Sequence, residues 1–190
     1  MPVLKVICAQ SPYFSGLGIP KYHDEEALSS VIAYCQNPDK IKGGFVGGMG
    51  VNPGQAAYEM DLLAWAYGKD HGLRLRHWIL SFTPKEVKRL CRRDYFGLQK
   101  AAWYAASYYG WQYQIVYALH TDAEHVHVHF VMNTVNYQTG LKYEGKRQDY
   151  MAYQRYLAEF FEEYGLNLTV IPSSGRGEPF DLMEYHGTWW

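Results

Sequence analysis

The spacing of apolar residues changes period several times along the chain, and each change marks an element. Residues 3–9, VLKVICA, are a short β-branched run and read as a first strand. SPYFSGLGIPKYHDEE follows, punctuated by Gly and Pro, and reads as a loop. From Asp24 the apolar residues fall at Leu28, Val31, Ile32 and Cys35, which is helical spacing, with Asp24 as N-cap and Pro38 marking the end. KGGFVGGMGVNPGQ is dense in glycine but has neither GxxxxGK[ST] nor GxGxxG leading into a helix, so it reads as a flexible connection. Pro53 then opens a helix with Ala56, Ala57, Met60, Leu63, Ala64 and Tyr67 as its core stripe, ending near Gly68 to Gly72. LRLRHWILSF, 73–82, alternates as a strand. The stretch from Pro84 to Gly110 reads as one long helical segment, basic at its start and small or aromatic later.

The run from Ile115 to Asn136 concentrates four of the eight histidines within ten residues. Gln112 to His120 and His125 to Val135 are rich in β-branched and aromatic residues, and Thr121 to Glu124 between them are polar, which predicts a hairpin. Alternation puts His125, His127, His129 and Asn133 on one face and Val126, Val128, Phe130 and Met132 on the other. On the first strand Gln114, Val116, Ala118 and His120 share a face. An amphipathic helix from Asp149 to Tyr164, ended by Gly165, and a last short strand LNLTVI complete the order. That order predicts an α+β architecture, with a largely antiparallel sheet carrying the histidines on one face and helices covering the other.

At 190 residues the chain suits one domain, 1–190, with a polar tail at 173–190 that is expected to be mobile or to lead on into a longer protein. Hydrophobic residues make up 48%, so the chain is globular, and no apolar run approaches the length of a membrane span. No secretory signal is visible at the start, which points to the cytoplasm. Cys8, Cys35 and Cys91 are widely spaced and contain no CxxC, which fits reduced thiols. The net charge of −1 argues against binding nucleic acid by bulk phosphate neutralisation. The basic residues nonetheless cluster, at Lys40 and Lys42, Arg74 and Arg76, Lys85 through Arg93, and Lys142, Lys146, Arg147 and Arg155. Eighteen tyrosines and six tryptophans also supply rings on which single-stranded bases stack.

Three imidazoles that leave a coordination position open are what a catalytic metal needs, whereas structural sites are usually closed by four ligands. A hairpin turning tightly at TDAE would set His125 across from His120 and make the trio His120, His125 and His127. His77 reads as a packed or surface residue, because its strand is not the hairpin.

Two families fit the histidines. HVHVHFV alone has the pattern of the histidine-triad nucleotide hydrolases, in which the middle histidine would be the nucleophile, but TDAE stands where that family carries a Gly-Gln pair. The longer run HTDAEHVHVHFVMN resembles motif III of the relaxase/mobilisation nucleases of the VirD2-like, MobP type, members of the histidine-hydrophobe-histidine endonucleases. IAYCQNPDK resembles their motif I and HWILSFTPKE their motif II. The resemblance implies the relaxase fold and strand-specific nicking of DNA at an origin of transfer. Nicking would proceed by tyrosine transesterification, giving a 5′-phosphotyrosine and a 3′-hydroxyl, with later rejoining during conjugation or mobilisation of a plasmid or integrative element. It implies Tyr34 as nucleophile, with Tyr22 and Tyr13 in the preceding loop as competitors. It places a divalent ion on His120, His127 and His129, with His125 as the alternate, and Asp122 as acceptor of a ligand imidazole's other N–H. Ser81 is the expected donor beside the scissile phosphate, and Arg74, Arg76, Lys142, Lys146 and Arg147 the further DNA contacts. The family's ion is Mg or Mn, although imidazoles suit Mn, Zn, Co or Ni better than Mg. The implied partners are single-stranded origin DNA with an adjacent hairpin, accessory DNA-processing proteins, and a coupling protein with a type IV secretion system, the enzyme travelling into the recipient on its DNA. Rolling-circle replication initiators and small transposases share this chemistry.

Overall fold

A computed structural model describes residues 1–7, 22–41 and 43–171, together with the backbone of 180–181. The elements are β1 (Val3–Ile7), α1 (Ala27–Cys35), β2 (Val46–Met49), a 3-10 turn (Pro53–Gln55), α2 (Ala56–Ala66), β3 (Leu75–Phe82), α3 (Pro84–Arg93), α4 (Gly97–Gly110), β4 (Tyr113–His120), β5 (Val126–Asn136), α5 (Arg147–Glu163), β6 (Thr169–Ile171) and β7 (Phe180–Asp181). Tyr13, Lys42, Cys8 and nearly all of the 173–190 tail lie outside the described residues.

The strands form one sheet in the order β2-β4-β5-β3-β1-β6-β7. Only β1 and β6 run parallel among the described pairs, so the fold is the α+β, mainly antiparallel design that the pattern predicts. The β4–β5 hairpin sits inside the sheet, flanked by β2 and β3, which is why both of its faces are buried along most of its length. Helices cover both faces, not one. On one side Leu90 of α3, Ala101, Ala102, Ala105 and Ala106 of α4, and Tyr153, Leu157 and Phe161 of α5 pack on Trp78, Leu80, Phe82, Ile115, Val128, Phe130 and Met132. On the histidine side Leu28, Ile32 and Cys35 of α1 and Ala56 and Met60 of α2 pack on Leu75, Val116, Ala118 and Val131. The small and branched residues on that face leave room for two helices, and the polar histidines mark where the helices stop.

Local chemistry explains where the elements depart from the sequence pattern. Asp24 does not cap α1; its carbonyl accepts from Ala27 N–H, and the N-cap is Glu26, whose side chain makes no capping bond. The glycine-dense connection contains a strand, β2, paired with β4. Its glycines are a packing demand: a Cβ on Gly47 would run into the Tyr117 ring, and one on Gly48 would lie 2.5 Å from the Val51 carbonyl. The predicted long helix is two helices. Thr83 and Glu86 make a capping box at the start of α3. Asp94 ends it, its carboxylate accepting the Phe96 N–H at 3.0 Å, and the chain then turns so tightly that a Cβ on Gly97 would lie 2.6 Å from the Leu90 carbonyl.

Candidate active site

The hairpin register decides which histidines meet. His120 pairs with His127 and Ala118 with His129, so the loop is longer than a tight turn at TDAE, and His125 falls before β5, exposed. Side chains of directly paired residues share a face, so His120, His127 and His129 project together on the α1 side of the sheet. One ring nitrogen from each lies within 4.8 Å of the others, and the ring centres of His120 and His129 are 4.3 Å apart. The trio is therefore 120, 127 and 129; His125 contributes its carbonyl, which accepts from His127 Nδ1 at 3.1 Å.

Each imidazole is held through one nitrogen. His120 donates from Nε2 to the Cys35 carbonyl at 2.7 Å, and His129 Nδ1 faces His77 Nε2 at 2.8 Å. The second nitrogens of the two buried rings, His120 Nδ1 and His129 Nε2, have no protein partner and no solvent. A buried, unpartnered nitrogen is costly unless something fills its lone pair. Both facts, with His127 Nε2 completing the set, fit a resident divalent ion with imidazole ligands and an open side. Burial, before anything else, holds His120 below the usual histidine range and His129 at about 2, so both rings are neutral and hold their lone pairs available at neutral pH.

Tyr34 is the penultimate residue of α1 and 48% exposed. Its ring centre is 5.8 Å from that of His120 and 5.6 Å from that of His129. Cys35 supplies the carbonyl for His120, so the end of the helix that carries the tyrosine is tied directly to the histidines. The Lys40 ammonium lies 5.0 Å from the Tyr34 ring centre and donates to Asp122 at 3.0 Å. That bond holds the Asp122 carboxyl below, and the Lys40 ammonium above, their ordinary ranges. Asp122 thus meets a lysine, not an imidazole; the imidazole N–H groups go to Cys35, His125 and His77. Ser81 is paired across the ladder with His127 and shares its face, at the open end of the site.

The other predicted DNA contacts do not gather here. Arg74 is 7% exposed and bonded to Asp61 at 2.6 Å and to the Asp70 carbonyl, so it fastens α2 to the start of β3 and has no face for DNA. Arg76 and Arg147 line a cavity of about 270 Å³ with Trp78, Tyr109 and Tyr143 on the opposite side of the sheet. Lys142 is bonded to the His71 and Leu73 carbonyls, and Lys146 pairs with Glu144 at 2.6 Å. Tyr22 is buried beneath the site with its hydroxyl 3.1 Å from His77 Nδ1, which removes it as a competitor to Tyr34. His77, read from sequence as a packed or surface residue, is buried against His129, and Lys40, named there only as part of a basic cluster, lies beside Tyr34. His77 lies outside the hairpin, and only the β3–β5 register brings it beside His129; Lys40 carried a signal, as a cation six residues beyond the candidate tyrosine.

An antiparallel sheet whose central hairpin presents an open trio of imidazoles beside an exposed tyrosine has the layout of a metal-assisted nuclease domain. The chain belongs to the relaxase family of MobA/VirD2-like nuclease domains, whose family model matches residues 34–166, from the candidate tyrosine through the last long helix. Two proteins of Staphylococcus aureus, both called Protein rlx, are similar to it. One is 33% identical over 111 residues, 58% of this chain and 32% of the relative; the other is 30% identical over 127 residues, 63% and 38%. The match therefore spans about a third of the length of these relatives. No solved structure matches the chain. The family match decides against the histidine-triad hydrolases, whose short motif the histidines also satisfy.

Proposed function

We propose that the domain nicks and rejoins single-stranded DNA at an origin of transfer, with Tyr34 as nucleophile and a divalent ion, Mn or Mg, held by His120, His127 and His129. The observation that carries this reading is an exposed tyrosine ring within 6 Å of two buried imidazoles whose free nitrogens have no protein partner. The Tyr34 hydroxyl gives up its proton to solvent as its oxygen attacks the scissile phosphorus, the bond from phosphorus to the 3′ oxygen breaks, and that oxygen leaves with the electron pair and takes up a proton from solvent. The phosphate stays joined to Tyr34 by a phosphodiester, so attack by a 3′-hydroxyl reverses the step without an outside energy source. A bound ion supplies positive charge to the non-bridging phosphate oxygens. Lys40, held by Asp122, meets the phosphate's charge beside Tyr34, which makes Asp122 a residue that acts through Lys40. Ser81 donates to the sugar–phosphate chain beside the cut.

For the flanking DNA, α3 offers the densest run of exposed cations among the described residues, Lys85, Lys88, Arg89, Arg92 and Arg93, with Lys146 and Arg147 exposed at the start of α5. Helix α3 starts at Pro84, three residues beyond Ser81, so its first turn lies at the histidine end of the sheet, while its body packs on the opposite face. This reading places the protein in the bacterial cytoplasm, in conjugative transfer or mobilisation, with accessory proteins and a secretion channel as partners. No described helix is long and apolar enough to cross a membrane.

The test uses a random-sequence pool of single-stranded oligonucleotides with Mn²⁺. Adducts that survive SDS should retain a 3′ label and lose a 5′ label, because the phosphotyrosine holds the downstream fragment, and Tyr34→Phe should abolish them. Protein-free cleavage products, or adducts undiminished by Tyr34→Phe, would overturn the proposal.

A further inference from the structure

His77 stands on β3, one strand from the hairpin, and three groups converge on its ring. Its Nε2 is 2.8 Å from His129 Nδ1 and 4.0 Å from Cys35 Sγ, and its Nδ1 is 3.1 Å from the Tyr22 hydroxyl. All four residues are buried. We infer that His77 is a positioning residue of the metal centre: it holds His129 in the tautomer that turns the Nε2 lone pair toward His120 and His127, and it braces the end of the helix that carries Tyr34. The inference rests on the proposed metal centre and adds to it the group that orients one ligand.

A neutral imidazole carries one proton, and only the tautomer with that proton on Nδ1 leaves His129 Nε2 as a ligand. His129 Nδ1–H then donates to His77 Nε2, so the His77 proton sits on Nδ1 and is donated to the Tyr22 oxygen. The chain of bonds is consistent at every atom. It also gives the backbone of Tyr22 a reason to be unusual: at φ 67 it is the one non-glycine residue of positive φ among those described. That conformation is strained, and here it delivers a hydroxyl under the imidazole. The Tyr22 carbonyl is itself tied to the Arg74 N–H at 2.8 Å, just before β3, so the support is anchored to the strand that carries His77. Through the Cys35 thiol the same ring touches the residue next to Tyr34, whose carbonyl holds His120. One side chain therefore lies under both a ligand and the helix end that places the nucleophile.

The experiment measures Mn²⁺ binding by calorimetry in the wild-type protein, His77→Leu and His77→Gln, with circular dichroism to confirm folding. Leucine keeps the bulk without an acceptor, whereas glutamine offers an oxygen near the position of Nε2. The expected result is a 10–100-fold weaker affinity in His77→Leu, the usual effect of removing a group that orients a ligand, with most of it recovered in His77→Gln. Nitrogen NMR of the metal-free wild-type protein should show His129 protonated on Nδ1. Folded His77→Leu binding Mn²⁺ within twofold of wild type would overturn the inference, as would His129 protonated on Nε2, and the NMR result decides if His77→Leu does not fold. Wild-type protein that binds no Mn²⁺ would instead strike at the proposed function, whatever the tautomer.

Discussion

Acid should destabilise the metal-free protein through the histidine cluster, by an amount that the burial of His129 sets. Unfolded, an imidazole takes up a proton near pH 6.5, whereas in the folded protein His129 does not until about pH 2, chiefly because burial disfavours its charged form. Below pH 6.5 the unfolded state thus binds a proton that the folded state refuses, and stability falls as the pH drops. From pH 7 to pH 5 a single group so shifted costs about 2 kcal/mol. His120 is shifted in the same direction, again chiefly by burial, and adds to the loss. The assay is urea unfolding of wild type and His129→Gln in the presence of a chelator, at pH 7 and pH 5. Carboxylates and exposed histidines titrate alike in both proteins, so the difference between the two pH dependences isolates residue 129. Wild type should lose about 2 kcal/mol more than the variant over this interval. A difference below about 0.5 kcal/mol, well under the one-group value, would mean that His129 is solvated or already protonated, and the picture of a dry, neutral ligand would be wrong. Metal should act in the opposite sense: at 100 times its dissociation constant an ion that binds only the folded state adds about 2.7 kcal/mol.

Reversing the charge of Lys85, Lys88 and Arg92 together should weaken single-stranded DNA binding and lower the slope of log affinity against log salt by about 2, at roughly 0.7 per phosphate contact; fluorescence anisotropy across a salt series reads it, and an unchanged slope rules out α3 as a DNA surface. Arg74→Met should cost about 1–3 kcal/mol of stability by stranding Asp61 and the Asp70 carbonyl, yet leave DNA affinity within twofold where the variant is folded. A large loss of affinity in folded Arg74→Met would restore Arg74 as a DNA contact.

The sheet and the hairpin were legible because period-2 alternation survives in β3, β4 and β5, each long enough to show it. His120, His127 and His129 as candidate ligands came from the resemblance of HTDAEHVHVH to the relaxase motif, since spacing shows only that histidines at i and i+2 share a face. Alternation alone left that register open between His125 and His129; it depends on how many residues the loop takes, and the longer loop puts His125 outside the ladder. β2 was illegible for a different reason. Its glycines answer to the Tyr117 ring and the Val51 carbonyl, neighbours that no local pattern contains. The break at Asp94 was hidden because both flanking segments favour helix. Charge alone said nothing of location: Arg74 faces Asp61, Arg76 and the exposed Arg147 line a cavity behind the sheet, and the lysine beside the tyrosine comes from the loop after α1. His77 read as a packed or surface residue and is packed, but its contact with His129 was not legible because the two stand 52 residues apart in the chain.

Anomalous diffraction from crystals soaked in Mn²⁺ addresses the core of this account most directly. A single ion bonded to His120 Nδ1, His127 Nε2 and His129 Nε2, with the Tyr34 hydroxyl facing its remaining side, is the predicted result. An ion seated instead between Cys35, His77 and His129, or one that Tyr34 cannot approach, would contradict it.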